Sequence, residues 1–360
     1  MPGQEERAIA QVLLRWYERH RRDLPWRRTR QPYSTWIAET MLQQTQVQTV
    51  IPYYERFLAR FPTVCALAQA ELDEVLALWE GLGYYARARH LHAAAKLICE
   101  RHGGELPATL EELLALPGIG EYTAGAILSI AFGQDVPAID ANAARVLCRL
   151  FDLPLDTTTA AAKRVLRRHA QELLPPGRAA EFNQALMELG STLCRAKAPQ
   201  CAACPLAPFC QAYQAGTQAL RPLPKRRTAP PLKRLAAAFV ERDGRLLLVR
   251  RRPEGLLGGL WELPSVELAS PEEPPAEALS HLFGGGKAGE CLAVIQHAYS
   301  HFRIEVAVCR YTLEGEPTLA GGPWDRLRWL SPQELASHAL TGATRKTLQA
   351  LGWPTAGRSL

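Results

Sequence analysis

The chain has 360 residues, enough for two or three domains that each bury a core, and 47% of them are hydrophobic against 22% charged, which excludes a disordered chain. No apolar run reaches bilayer-spanning length, and the opening Met1-Pro2-Gly3-Gln4-Glu5-Glu6 has neither a basic nor an apolar signal region, so a cytoplasmic protein is expected. The net charge of +6 is modest; its positive excess falls within residues 1–230 and suits a polyanionic partner.

Ile9, Val12, Leu13, Trp16 and Tyr17 recur at helical spacing and predict an amphipathic helix over 4–20, ended by Leu24-Pro25-Trp26-Arg27. Ser34 or Thr35 is placed to cap a helix running through Trp36, Glu39 and Gln43. Helical patterns follow over 46–60, 63–79 and 86–102, and between the last two lies Gly81-Leu82-Gly83-Tyr84-Tyr85, a loop with paired aromatics. Further helices are predicted over 109–115, 121–132, 141–150, 160–173 and 179–193, separated by Pro and Gly breaks. No strand pattern precedes residue 230, so the first two-thirds reads as all-α. The cluster Arg19, Arg21, Arg22, Arg27, Arg28 and Arg30 is expected as solvated surface.

Composition changes at Arg221-Pro222-Leu223-Pro224-Lys225-Arg226-Arg227, a Pro-rich basic stretch that reads as an extended linker. Beyond it, 235–240 and 245–250 are strand patterns around Asp243-Gly244, a hairpin signal. Residues 294–298 and 302–311 form a second strand pair, and 332–336 and 343–351 are helical. The organisation is thus a helical domain over 1–215, a linker over 216–232 and an α+β domain over 233–360.

Chemistry concentrates in the helical part. The turn Leu116-Pro117-Gly118-Ile119-Gly120 opens onto a small-residue helix whose unobstructed backbone N–H groups suit a phosphate clamp; the same residues also suit simple helix–turn–helix packing. Around Glu39 the i±3 and i±4 positions are Thr35, Trp36, Leu42 and Gln43, so no local ion pair is available. A carboxyl in such company gains a raised pKa and suits a general acid. Asp140, in Val136-Pro137-Ala138-Ile139-Asp140-Ala141-Asn142, precedes a helix and suits an N-cap. Of nine cysteines, Cys194, Cys201, Cys204 and Cys210 have the spacing C-x6-C-x2-C-x5-C. Four such thiolates bind Zn²⁺ or a [4Fe–4S] cluster, and the wide gaps favour the cluster. Arg195 and Lys197 share the loop. Cys65, Cys99, Cys148, Cys291 and Cys309 are expected as small buried hydrophobes in a reducing compartment.

Taken jointly, Leu42-Gln43-Gln44-Thr45-Gln46-Val47, the Pro117–Gly120 turn, Val136–Asp140 and the four-cysteine spacing resemble the helix–hairpin–helix DNA glycosylases with an iron–sulfur loop. Glu39 within Trp36-Ile37-Ala38-Glu39-Thr40-Met41-Leu42 resembles the adenine DNA glycosylase branch in particular. The resemblance implies a multidomain fold: an all-α helix–hairpin–helix glycosylase domain, with its hairpin near 109–132 and its iron–sulfur loop over 194–210, and an α+β Nudix-like C-terminal domain. It implies that adenine opposite 8-oxoguanine or guanine is flipped from duplex DNA and removed hydrolytically, by a monomer at the bacterial nucleoid.

Within that resemblance Glu39 is the general acid, Asp140 stabilises or traps the sugar cation, and Asn142 orients the groups. Gly118 and Gly120 grip the DNA backbone, Gln44 and Tyr84 match intercalating positions, and Trp26, Arg27 and Gln184 are adenine-pocket candidates. Cys194, Cys201, Cys204 and Cys210 hold a [4Fe–4S] cluster. Tyr122 stands where relatives similar to endonuclease III carry a Lys nucleophile, so a monofunctional enzyme is expected, with Tyr122 near the reacting sugar.

In the C-terminal domain Gly258-Gly259-Leu260-Trp261-Glu262-Leu263-Pro264 resembles the strand entering a Nudix motif. Ser270-Pro271-Glu272-Glu273-Pro274-Pro275-Ala276-Glu277 stands where the Mg²⁺-binding helix belongs, so no pyrophosphohydrolase activity is expected. Tyr299-Ser300-His301 matches the loop that senses 8-oxoguanine, with Tyr299 in place of the usual Phe. A pyrimidine or thymine-mismatch glycosylase and a non-catalytic DNA-structure-binding module are the alternatives.

Overall fold

A computed structural model describes residues 3–224, 230–280, 282–284, 286–299, 301–319 and 322–354. Ser300, one of the expected recognition residues, lies outside them, as do residues 225–229 of the expected linker. The chain divides into two compact units, 1–69 with 93–227, and 70–92 with 228–360.

In chain order the helices up to residue 214 are α1 (Gln4–His20), α2 (Pro32–Leu42), α3 (Val47–Arg60), α4 (Val64–Gln69), α5 (Leu72–Trp79), α6 (Ala86–Arg101), α7 (Leu110–Leu114), α8 (Glu121–Ile130), α9 (Ala141–Leu150), α10 (Ala160–Leu173), α11 (Ala179–Thr192) and the single turn α12 (Gln211–Gln214). The α1 stripe Ile9, Ala10, Leu13, Leu14 and Tyr17 packs against Leu147 and Leu150 of α9, Leu166 of α10, and Phe182, Leu186 and Leu189 of α11. Leu13 and Phe182 are fully buried, and burying each side chain is worth about 1.5–3 kcal/mol. That core fixes α9 and α11 side by side.

Three local expectations are corrected. Helix α2 begins at Pro32, with Gln31 as N-cap, because proline at the first helical position presets the backbone. Ser34 and Thr35 are therefore interior, and the Ser34 hydroxyl donates back to the Gln31 carbonyl at 3.0 Å. The predicted helix over 63–79 is two helices, broken where Glu71 turns extended; Asp73 and Glu74 mark the new N-terminus. The stretch 216–224 is docked chain rather than free linker: Arg221 pairs with Asp152 at 2.8 Å, and the Leu223 N–H reaches the Leu155 carbonyl at 3.0 Å.

In the second unit the strands are β1 (Leu232–Phe239), β2 (Glu241–Arg242), β3 (Arg245–Arg251), β4 (Trp261–Glu262), β5 (Ser265–Glu267), β6 (Gly286–Ala298), β7 (Arg303–Leu313) and β8 (Trp324–Leu330). One sheet has the order β5-β1-β7-β6, with β1 parallel to β7; the other joins β2-β3-β4, with β8 on β3. The short helices α13 (Pro275–Leu279) and α14 (Pro332–Leu335) and the longer α15 (Gly342–Ala350) complete it. Alternate residues of β1 enter two cores, Ala237 and Phe239 one and Ala236 and Ala238 the other. Burial on both faces explains why 235–240 reads as a continuous apolar run.

The Asp243-Gly244 turn forms, with φ of 49° and 69°, as a tight hairpin turn requires. Its strands are β2 and β3, however, because the chain leaves the first sheet after Val240 and β1 pairs with β5 and β7 instead. The acid-rich stretch after Ser270 forms a bend and the five-residue α13, on which Glu277 is the acid. Among the described residues no helix is long and apolar enough to cross a membrane.

Candidate active site

A cavity of about 680 Å³ opens in the first unit between α2, α8, α9 and α11. Glu39, Tyr122, Asp140, Asn142, Gln44, Trp26, Arg27 and Gln184, far apart in the sequence, all line it. Its size is that of a small-ligand pocket.

Glu39 projects from α2 and is 5% exposed. Tyr122, in the first turn of α8, donates its hydroxyl to Glu39 Oε2, and its oxygen lies 3.8 Å from Met187 Sδ. The Glu39 carboxyl is raised to about 7, chiefly by burial, against the Tyr122 hydrogen bond and the charge of Arg27 and with a further push from the charge of Asp140. Burial, followed by the two carboxylates, drives the Tyr122 phenol well above its ordinary range, so its proton stays in place.

Asp140 is the N-cap of α9, as its sequence position suggests, and it still lines the cavity. Its Oδ1 accepts the Ala143 N–H and its Oδ2 the Asn142 amide, each at 2.7 Å. Burial raises the Asp140 carboxyl, against the Ala143 and Asn142 hydrogen bonds and the charge of Arg145. Asn142 is itself held: Arg145 donates to Asn142 Oδ1 and to the carbonyls of Gly190 and Cys194, each at 2.8 Å. A hydrogen-bonded chain therefore runs from the backbone of the cysteine loop to the Asp140 carboxylate.

The cavity is also lined by Glu188 and Arg22, which the sequence reading missed or took for surface. Glu188 of α11 is 1% exposed and binds Arg22 at 2.6 Å and Arg27 at 2.7 Å. Burial pushes its carboxyl up, but Arg22 and Arg27 outweigh it and the net displacement is down. Arg22 is thus a committed side chain of the pocket wall rather than solvated surface, Arg27 lines the cavity as its pocket candidacy implied, and Arg30 is paired with Glu181 at 2.6 Å. An acid inside Leu186-Met187-Glu188-Leu189, one turn past Gln184, was the available signal for Glu188. Lys163 and Ser191 also line the cavity. Gln184 receives the Tyr17 hydroxyl at 3.2 Å.

Gly118 and Gly120 lie in the turn between α7 and α8. Gly118 has φ of +77°, and Gly120 caps α8 through its backbone alone. Tyr84 belongs to the second unit, is 40% exposed and has φ of +49°. Tyr299 and His301 flank the turn between β6 and β7, which the Tyr299 N–H closes on the Phe302 carbonyl at 2.9 Å. His301 is exposed, whereas the Tyr299 ring packs on His297 and Phe302, with centroids at 4.5 and 4.9 Å.

Cys194, Cys201, Cys204 and Cys210 surround one small cavity together with Arg149. Arg149 donates to Cys194 Sγ at 3.3 Å and to the Arg195 carbonyl at 2.7 Å. A four-iron cluster takes one thiolate per iron, and four sulfurs spread round a cavity fit that demand. Among the described residues no three or more His, Cys, Asp or Glu side chains are gathered as a single metal ion requires. Of the other cysteines Cys148 and Cys309 are buried as expected, whereas Cys65 and Cys99 are half-buried and Cys291, on β6, is exposed.

A glycine hairpin leading into a helix, with a buried carboxyl on Glu39 and a half-buried one on Asp140 lining one base-sized cavity, defines a class. Residues 37–176 match the HhH-GPD superfamily of base excision DNA repair proteins, and residues 235–350 match the NUDIX domain. The helical part is similar in structure to a thermostable thymine-DNA glycosylase (28% identity, TM-score 0.55, covering 59% of this chain and 98% of that one). It shares its fold with an endonuclease III solved in a non-covalent DNA complex (24% identity, TM-score 0.52, covering 60% and 98%). Over nearly the whole length the similarity is narrower. The adenine DNA glycosylases of Rattus norvegicus and Homo sapiens are each 37% identical, over 95% and 96% of this chain and 77% and 74% of their own. The chain belongs to the adenine DNA glycosylase family.

Proposed function

We propose that this protein is a monofunctional, monomeric DNA glycosylase that removes adenine paired with 8-oxoguanine or guanine in duplex DNA, inside a bacterial cell. The observation that carries the reading is the pairing of a buried Glu39, pushed up to about 7, with Asp140 across one cavity. Separated environments for two carboxyls are how one site runs acid and electrostatic chemistry together.

Adenine leaves poorly unless it is protonated, so Glu39 in its neutral form delivers a proton to the extruded base as the N-glycosidic bond breaks. The bonding electrons leave with adenine, and positive charge develops on the sugar. Asp140, held by Ala143 and Asn142, stabilises that cation until water adds its oxygen to the sugar and gives up a proton, which restores the neutral Glu39 carboxyl. Tyr122 stabilises the Glu39 carboxylate left behind by its hydrogen bond to Oε2. Because Tyr122 occupies the position of the lyase lysine, the step ends at base removal.

Trp26, Arg27, Gln184 and the Glu188 carboxylate form the wall against the base. Extrusion costs a few kcal/mol, offset by Gln44 and Tyr84 filling the vacated stack and by Gly118 and Gly120 holding phosphate. Cys194, Cys201, Cys204 and Cys210 would hold a [4Fe–4S] cluster, which cross-links the loop that carries Arg195 and Lys197. The Tyr299-Ser300-His301 loop reads the base opposite the target.

The test is base release from A:8-oxoguanine, A:G and T:G duplexes, alongside iron content and visible absorbance. Adenine release from the first two and iron near four per chain are expected. Thymine release from T:G in place of adenine release would overturn the assignment.

A further inference from the structure

The second unit contains residues 70–92 as well as the C-terminal sheets, and the contacts between these two parts are specific. Leu72 and Leu76 of α5 lie over Gly259, where a Cβ would stand 3.7 Å from Leu72 Cδ2 and 2.8 Å from Leu76 Cδ1. Asp73 pairs with Arg250 at 3.4 Å, and Asp325 holds the same guanidinium at 2.7 Å. Glu80, which ends α5, accepts the Leu340 N–H at 3.1 Å and pairs with Arg345. Arg89, in the first turn of α6, donates to the carbonyls of Gly255 and Gly258, each at 2.8 Å.

Glu80 and Arg89 bracket the loop that presents Tyr84. Inside it Trp79 Nε1 donates to the Gly83 carbonyl at 3.1 Å, and Arg87 donates to the carbonyls of Leu82 and Gly83, each at 3.1 Å. The Arg87 guanidinium lies 5.3 Å from the Trp79 ring centroid and 5.6 Å from that of Tyr84. The loop is therefore an ordered turn fastened at both ends. At the other end of the Glu80 tether, Leu340 belongs to the apolar core against which Tyr299 packs, and the next residue, Thr341, lines one cavity with Tyr299. A contiguous path thus joins the β6–β7 turn to the Tyr84 loop: Tyr299, Thr341, Leu340, Glu80, Trp79, Gly83, Tyr84.

We propose that Glu80 and Arg89 are positioning residues that couple the Tyr299 turn to the Tyr84 loop, so that the base met by the C-terminal fold sets how Tyr84 is placed at the lesion. The proposal rests on the readings of Tyr84 and Tyr299 given above. Coupling of this kind requires a packed path between the two loops, one that both bias, and its signature is non-additivity rather than proximity.

The experiment uses the full chain and measures single-turnover adenine release from A:8-oxoguanine and A:G duplexes for E80A, E80Q, R89A, Y84A and the double variant E80A/Y84A, with thermal melts confirming folding. E80A and R89A are expected to lower the ratio of the two rates by about fivefold or more while leaving the A:G rate within about twofold. E80Q, which keeps an acceptor for Leu340, is expected to restore part of the ratio. Adding E80A to Y84A is expected to cost little beyond Y84A alone. Equal losses on both duplexes, or additive losses in the double variant, would overturn the coupling. A lowered ratio in Y84A with normal ratios in E80A and R89A would overturn it while sparing the Tyr84 reading. A normal ratio in Y84A would overturn that reading and the coupling with it.

Discussion

The Tyr122 hydroxyl donates to Glu39 Oε2 across 83 residues of chain, joining the helix after the glycine hairpin to the helix that carries the buried acid. Because the bond favours the ionised carboxylate, it moderates the effect of burial and leaves Glu39 near 7 rather than higher. Y122F removes it. The Glu39 pKa then rises, and the fall of the single-turnover rate on the alkaline side moves to higher pH. The carboxylate formed at the transition state also loses a charged hydrogen bond, so the maximal rate drops by about 10–100-fold. A pH–rate profile on an A:8-oxoguanine duplex checks both effects.

A carboxyl raised in the folded state binds a proton that the unfolded chain has already released between about pH 4.5 and pH 7. Stability is therefore lost as pH rises through that window, to a cost of about 3 kcal/mol above it. E39Q is expected to melt higher than the native chain at pH 8, with the gap closing towards pH 4.5. Paired thermal melts at those two values measure it, and a gap independent of pH would contradict the buried acid.

Asp140 has two duties, which D140N separates. Asparagine caps helices about as well as aspartate, so α9 keeps its start and the melting temperature stays close to native. In the proposed reaction the substitution removes the carboxylate that stabilises the sugar cation, and base release is expected to fall by about 10²–10³-fold. Unfolding of D140N would show instead that the carboxylate is needed for the fold.

Lys163 is an amine among the residues lining the cavity. Borohydride trapping on A:8-oxoguanine DNA is expected to be weak and to disappear in K163A. Trapping that persists undiminished in K163A would assign the amine elsewhere.

The helices were legible because amphipathic stripes such as Ile9, Leu13 and Tyr17 pack against one core. Their breaks were less legible: Glu71 turns extended inside a continuous apolar pattern, and the start of α2 followed Pro32 rather than the better cap at Ser34. Strand β8 escaped the sequence reading because Asp325, Arg326 and Arg328 break its alternation and its partner β3 lies far back along the chain, and the first half of β6 escaped it because small and charged residues interrupt its apolar pattern. Glu39 stood out through its local company, whereas Asp140 read locally as an N-cap and was singled out only by the family resemblance. Glu188 did not stand out, since its partners Arg22 and Arg27 are more than 160 residues away, and Arg22 looked like surface charge.

The most direct test of the account is single-turnover adenine release from an A:8-oxoguanine duplex by E39Q, measured beside its affinity for the same duplex. The account predicts binding close to that of the native protein with base release lost. Release at the native rate would contradict the role of Glu39 as the acid.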